Sequence, residues 1–140
     1  GQSKEEIIEN KKYLYDVFNL DKVKNKLAHK LSGGWQRKLS IALAIISKPK
    51  VLFLDEPTLG LDVISRRELW KTINSLKGNM TIILTTHYME EAEELSDRIG
   101  IMKEGNLLFI GNKEELYKST NKDNVEEAFI SIISKGEIYE

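Results

Sequence analysis

Apolar residues in the first third of the chain recur at the spacing of amphipathic helices. A helix is predicted over residues 4–18, because Ser3 and Glu6 have capping-box spacing and apolar positions then fall on one helical face. The apolar residues of this face are Ile7, Ile8, Leu14, Tyr15 and Phe18. A second helix is predicted to begin near Ser32 and to end before Pro49. Its buried face is expected to contain Trp35, Leu39, Ala42, Leu43 and Ile46.

Two short apolar runs in the middle of the chain have the pattern of buried strands. The runs cover residues 51–54 and 81–86, and the first is expected to be covered on both faces, as parallel strands usually are. Between them, Leu69, Ile73 and Leu76 lie at helical spacing. A connection of this length suits a right-handed crossover between parallel strands. A parallel sheet is therefore predicted.

The last third of the chain is predicted to contain a helix, a hairpin and two short terminal helices. The helix covers residues 89–96, the hairpin strands cover 99–102 and 107–110, and the terminal helices begin at Asn112 with Glu115 and at Asn124 with Glu127. The last helix is expected to bury Val125, Ala128, Phe129, Ile132 and Ile133. The hairpin is expected to be an antiparallel edge. The whole order of elements indicates an α/β fold.

Composition narrows the possible classes of function. The 140 residues are 41% hydrophobic and 31% charged, which is enough apolar material for one soluble core. A formal net charge of -1 argues against a dedicated nucleic-acid binder, and the lack of cysteine excludes disulfides and thiolate metal sites. The longest apolar stretch, residues 41–46, is far shorter than the roughly 20 residues that span a bilayer. Any membrane role is expected to be peripheral.

Ionisable residues directly follow both predicted strands. Asp55 and Glu56 follow the first strand, and His87 follows the second. Ligands of open parallel sheets gather at the carboxyl ends of the strands. One carboxylate could serve a hydrated Mg²⁺ while its neighbour polarises a water for attack on phosphorus, and the imidazole could bond to the phosphoryl group. The alternative is a turn that only caps the next helix and an ordinary surface histidine.

The predicted second helix begins with a serine and two glycines. Unpaired N–H groups at a helix start can bind a phosphate, and glycines let the anion approach the backbone at Ser32, Gly33 and Gly34. Ordinary caps and turns also use these residues. No glycine of the chain directly precedes a lysine, so the phosphate loop G-x-x-x-x-G-K-[ST] is absent from these 140 residues.

The order of these motifs closely resembles the ATP-binding subunits of ABC transporters. Residues 31–34 are similar to the signature of that family, residues 51–55 to its Walker B strand and residues 59–62 to its D-loop. The resemblance runs over about residues 5–115. It implies the C-terminal part of a nucleotide-binding domain: part of the helical subdomain at 1–48, then part of a P-loop NTPase (RecA-like) three-layer α/β core at 49–140.

The resemblance also implies roles for individual residues. Glu56 would be the catalytic carboxylate, His87 the switch histidine at the γ-phosphate, and Asp55 a ligand that holds Mg²⁺ through water. Asp62 of the D-loop would couple two ATP sites. In this family two nucleotide-binding domains pair head to tail, and the signature of one completes the ATP site of the other. The residues implied to serve the partner's ATP are Ser32, Gly33, Gly34 and Gln36.

The implied function is ATP binding and hydrolysis coupled to transport. The implied partners are a second nucleotide-binding domain, in a homodimer or heterodimer, and a membrane-spanning permease, with the domain on the cytoplasmic face of the cell membrane. Residues 38–40 with Leu43, residues 65–70 and residues 86–92 look most like the export-type branch, which moves drugs, antibiotics or lipids. Without a phosphate loop, the chain alone is expected to be inactive. Two alternatives stay open: an ABC ATPase that acts on ribosomes or DNA, and a catalytically silent interaction module.

Overall fold

A computed structural model describes residues 3–136, and the chain divides into two compact units between Thr85 and Thr86. The first unit contains α1 (Lys4–Phe18), α2 (Gly33–Ile45), β1 (Val51–Asp55), α3 (Val63–Leu76) and β2 (Thr81–Thr85), with 3-10 turns at Leu20–Lys22 and Ala28–Lys30. The second contains α4 (Met89–Leu95), β3 (Ile99–Lys103), β4 (Asn106–Gly111), α5 (Lys113–Thr120) and α6 (Val125–Gly136). Within the described residues, no helix has the length and apolar character needed to cross a bilayer.

The strands of the first unit pair in parallel, as predicted, with α3 as the crossover. Val51 lies opposite Thr81 and Asp55 opposite Thr85. The expectation that β1 is covered on both faces is wrong, because Leu52 and Leu54 are buried while Val51 and Phe53 are 43% and 72% exposed. Successive side chains of a strand point to opposite faces, so the described residues bury only one face of β1.

The buried face of α2 differs from the one predicted from its large apolar residues. Leu43 and Ile46 are exposed, and Trp35 and Leu39 are only partly buried. The buried residues of α2 are Gly34, Lys38, Ile41, Ala42 and Ile45. The prediction from hydrophobic periodicity counted only apolar residues as buried. Lys38 is nevertheless buried, because its ammonium pairs with Glu68.

Helix α1 begins where predicted but buries fewer apolar residues. The Ser3 and Glu6 capping box is present, whereas Ile7 and Ile8 are 50% and 69% exposed. The buried polar residue on this helix is Asn10, whose Nδ2 donates to the carbonyl of Ile46 at 3.5 Å. Asn10 thereby supplies a donor to the C-terminal end of α2, where backbone carbonyls lack helical partners.

The second unit follows its sequence pattern closely. Strands β3 and β4 form an antiparallel sheet of their own, joined by Glu104 and Gly105, both with positive φ as a type I′ turn requires. The capping box of α5 is present, and at the start of α6 Asn124 accepts a hydrogen bond from the Glu127 N–H. The core consists of Ile99, Ile101, Leu116, Val125 and Ala128, with Phe129, Ile132 and Ile133 packed against it.

Candidate functional site

The two acidic residues predicted to act on ATP, Asp55 and Glu56, lie at the carboxyl end of β1, where both are hydrogen-bonded to Thr85 of β2. Thr85 Oγ1 donates a hydrogen bond to Asp55 Oδ1 at 2.5 Å. The Glu56 N–H is shared between the carbonyl of Thr85 at 3.1 Å and its hydroxyl at 3.2 Å. Thr85 therefore fixes both residues through the parallel register. The sequence signal that could have identified Thr85 is its place at the end of the second apolar run, since the ends of parallel strands lie side by side.

Glu56 leaves the strand in a left-handed backbone conformation. Its φ is 46°, which is uncommon for a residue with a side chain, and such positions cluster at active sites. The turn that follows is closed by hydrogen bonds from the Leu59 N–H to the carbonyl of Glu56 and from the Leu61 N–H to that of Thr58, each at 3.1 Å. The backbone therefore leaves the strand direction directly after Asp55.

Asp62, the last residue of the predicted D-loop, caps the start of α3. Its Oδ1 accepts hydrogen bonds from the N–H groups of Ile64 and Ser65, each at 3.0 Å, and Ser65 Oγ donates to Oδ2 at 2.6 Å. The hydrogen bonds from the side chain and backbone of Ser65 lower the pKa of Asp62 below its ordinary value. Asp62 is therefore ionised at neutral pH. The stabilisation that its carboxylate gives to the start of α3 is lost only as the pH falls through the lowered pKa.

The signature residues form the N-terminus of α2 and lie beside α3. Ser32 is the N-cap residue, but its side chain makes no capping hydrogen bond. A Cβ atom on Gly34 would lie 3.1 Å from both Cβ and Oγ of Ser65, and one on Gly33 would lie 3.5 Å from Leu61 Cδ2. The structure thus brings the signature and the D-loop together, a contact that sequence spacing does not predict.

Gln36 holds the signature helix to the turn before it. Its Nε2 donates to the carbonyl of Leu31 at 3.1 Å and to that of Ala28 at 3.5 Å. This amide therefore orders the entry into α2. The role predicted for Gln36 at a partner's ATP stays a prediction.

His87 belongs to the second unit, between the end of β2 and the start of α4. Its ring lies 4.1 Å from the ring of Tyr88, centroid to centroid, at an interplanar angle of 39°. The Tyr88 N–H donates to Thr86 Oγ1 at 3.0 Å and so orders this short segment. The role of His87 toward the γ-phosphate stays a prediction.

The Asp55 carboxylate at the end of β1 is a donor of the kind that Mg²⁺ accepts. Residues 3–136 contain no group of three or more His, Cys, Asp and Glu side chains that could hold a metal. Mg²⁺ needs no such group, because it commonly keeps several waters and binds one or two carboxylates together with substrate phosphates. Asp55 is exposed and supplies a hard oxygen donor of this kind.

Known proteins that resemble the chain are ABC transporters. The family model described as "ABC transporter" matches residues 3–59. ABC transporter A family member 9 of Dictyostelium discoideum is 41% identical over 143 residues, covering 99% of this chain and 17% of that protein. ABC transporter A family member 10 of Arabidopsis thaliana is 53% identical over 94 residues, covering 67% of this chain and 10% of that protein. The chain thus spans a small part of these relatives.

Solved structures show the same fold. The chain matches the structure of an ATP binding subunit of an ABC transporter with a TM-score of 0.78 and 24% identity, covering 95% of this chain and 57% of that one. It matches cbiO1 of Clostridium perfringens, part of the ABC transporter complex cbiONQ, with a TM-score of 0.74 and 31% identity, covering 84% and 48%. The predicted α/β fold class is confirmed as part of this fold. The chain belongs to the family of ABC transporter ATP-binding domains.

Proposed function

We propose that this chain forms part of an ATPase domain that couples ATP hydrolysis to export through a membrane-spanning permease. The observation that carries the proposal is the strand end where Thr85 holds Asp55 and the backbone of Glu56. In this assignment residues 1–48 belong to the helical subdomain and residues 49–140 to the ATPase core. The domain lies in the cytoplasm against the inner face of the membrane.

The proposed chemistry is attack of water on the γ-phosphorus of ATP. Glu56 orients the water and takes its proton as the water oxygen bonds to phosphorus, and the bond to the β-phosphate oxygen breaks to release ADP and phosphate. Asp55 would hold Mg²⁺, and the ion would supply positive charge to neutralise the phosphates. The imidazole of His87 donates a hydrogen bond to the γ-phosphate.

The signature is proposed to serve the ATP of a second nucleotide-binding domain, paired head to tail with this one. Gly33 and Gly34 let a phosphate approach the start of α2, where N–H groups and the helix dipole favour an anion. Ser32 supplies its hydroxyl, which is not used as a cap. Gln36 completes the set, and Asp62, joined to Gly34 through Ser65, couples the two sites.

The 140-residue chain alone is expected to bind no ATP. It carries the signature and the carboxylates but no phosphate-loop motif, and that loop is what forms the backbone cradle for the phosphates. Isothermal titration calorimetry with MgATP should give no saturable heat, whereas the full-length protein in the same buffer should. Saturable, tight MgATP binding to the chain alone would refute this part of the proposal.

The full-length protein is expected to co-purify with a polytopic membrane protein. Residues 86–92 resemble export-type subunits, which favours a permease partner over a ribosome or DNA. The measurement is affinity purification from detergent-solubilised membranes, followed by identification of the bound proteins, with a tagged unrelated cytosolic protein as the control. Recovery of ribosomes or DNA without a membrane protein would favour the non-transport alternative.

A further inference from the structure

Two contacts, one helical turn apart, join α2 to α3. In the first, Gly34 lies against Ser65, close enough that an added Cβ would be 3.1 Å from the serine side chain. In the second, Lys38 Nζ lies 2.8 Å from Glu68 Oε2. The step from Gly34 to Lys38 and the step from Ser65 to Glu68 each equal about one helical turn of 3.6 residues. The second contact therefore lies one turn further along both helices. One contact alone would let the helices rotate about it, whereas two contacts also fix the angle between the helices.

Lys38 is buried, so its contacts favour one arrangement of α2 over others. The residue is 6% exposed, while the Glu68 side chain is 57% exposed. Lys38 Nζ also lies 4.9 Å from the centroid of the Trp35 ring, within the range of cation–π attraction. A buried ammonium is costly unless it is paired, so the arrangement of α2 that keeps Lys38 between Trp35 and Glu68 is favoured over arrangements that separate them.

The first contact continues to the D-loop. Ser65 donates to Asp62 through its hydroxyl, and its N–H also donates to that carboxylate. The start of α2 is therefore linked through Ser65 to Asp62, and the pair of Lys38 with Glu68 holds the same helices one turn further along.

We infer that Lys38 is a positioning residue that locks the signature helix α2 to α3, so that residues 32–34 and Asp62 meet the partner's nucleotide as one rigid surface. The inference rests on the proposed function of the signature. In this proposal Lys38 itself makes no contact with the nucleotide. It acts through the placement of α2 in the closed pair of domains, and a displacement of about 1 Å at a reacting site can cost about 100-fold in rate.

The test is the steady-state ATPase of the full-length protein with Lys38→Met, which keeps the chain length and removes the charge. The turnover number is expected to fall about tenfold to 100-fold, while ATP affinity and the amount of ATP bound per domain stay unchanged. Lys38→Arg, which keeps the charge and a donor for Glu68, is expected to restore most of the turnover. Lys24→Met is the matched control: Lys24 pairs with Asp21 at 2.9 Å but is half exposed, and its removal should leave turnover unchanged.

Wild-type turnover in Lys38→Met would overturn the inference. So would a loss of turnover that only parallels a loss of bound ATP, since a merely structural role would lower both together. If Lys38→Met does not fold, Glu68→Gln changes the exposed end of the same pair and is judged by the same two readouts.

Glu56→Gln, measured in the same series, separates this inference from the proposed function. If Glu56→Gln keeps full turnover, the proposed function fails whatever Lys38 does. If Glu56→Gln loses turnover while Lys38→Met and Glu68→Gln both keep it, only the positioning role fails.

Discussion

Replacing Gly34 by Asp in the full-length protein is expected to lower ATP hydrolysis by about 100-fold or more while ATP still binds. The new carboxylate would stand at the start of α2, where the proposed site needs a positive helix end to meet a phosphate. Its Cβ would also lie 3.1 Å from the Ser65 side chain, which would have to shift by a few tenths of an ångström. ATP should still bind, because its main contacts are expected to come from the domain that contributes the phosphate loop and the carboxylates. Phosphate release and ATP binding, measured on the same preparation, test both expectations.

Gly78→Asp is the matched control for this substitution. Gly78 lies in the turn before β2, and a Cβ there would meet no atom within 4 Å. Its φ of 84° is left-handed, so Asp is strained there although the space is open, and turnover is therefore compared per amount of folded protein. Turnover close to the wild type is expected for this variant. Gly34→Asp with turnover equal to the control would contradict the assignment of the signature.

Glu56→Gln is expected to reduce ATP hydrolysis by about 100-fold or more, because the amide cannot take a proton from the attacking water. Size and shape are conserved, and the N–H of residue 56 can keep its bonds to Thr85. Asp55 is unchanged, so MgATP should remain bound. Glu104→Gln makes the same chemical change at an exposed turn between β3 and β4 and should have no effect. A Glu56→Gln protein that hydrolyses ATP at the wild-type rate would exclude Glu56 as the catalytic base.

The sequence predicted most elements of the fold because local rules determine them. Capping boxes placed the starts of α1 and α5, and the polar break between the apolar runs at 99–102 and 107–110 placed the hairpin. Two apolar runs with a helix between them were sufficient to predict a parallel pair of strands. Caps and turns depend on neighbours in sequence, and the parallel pairing follows from a connection long enough for a crossover helix.

Features that depend on tertiary contacts were not predicted. The buried stripe of α2 includes Lys38, which only the distant Glu68 makes tolerable in a core. The contact of Gly34 with Ser65 depends on the packing of two helices, and no spacing in the sequence indicates it. The roles of Glu56 and His87 remain predictions, because chemistry at phosphorus depends on a nucleotide and on a second domain as well as on these side chains.

The central claim, that each ATP site combines the carboxylate of one domain with the signature of another, is tested most directly by mixing the two inactive variants. Copies of the full-length protein with Gly34→Asp and with Glu56→Gln carry different affinity tags, and assemblies that contain both are isolated in two steps. In a head-to-tail pair, one of the two sites then combines an intact Glu56 with an intact Gly34. The mixed assembly is predicted to regain ATP hydrolysis that neither variant shows alone. A mixed assembly as inactive as the two separate variants would contradict the account.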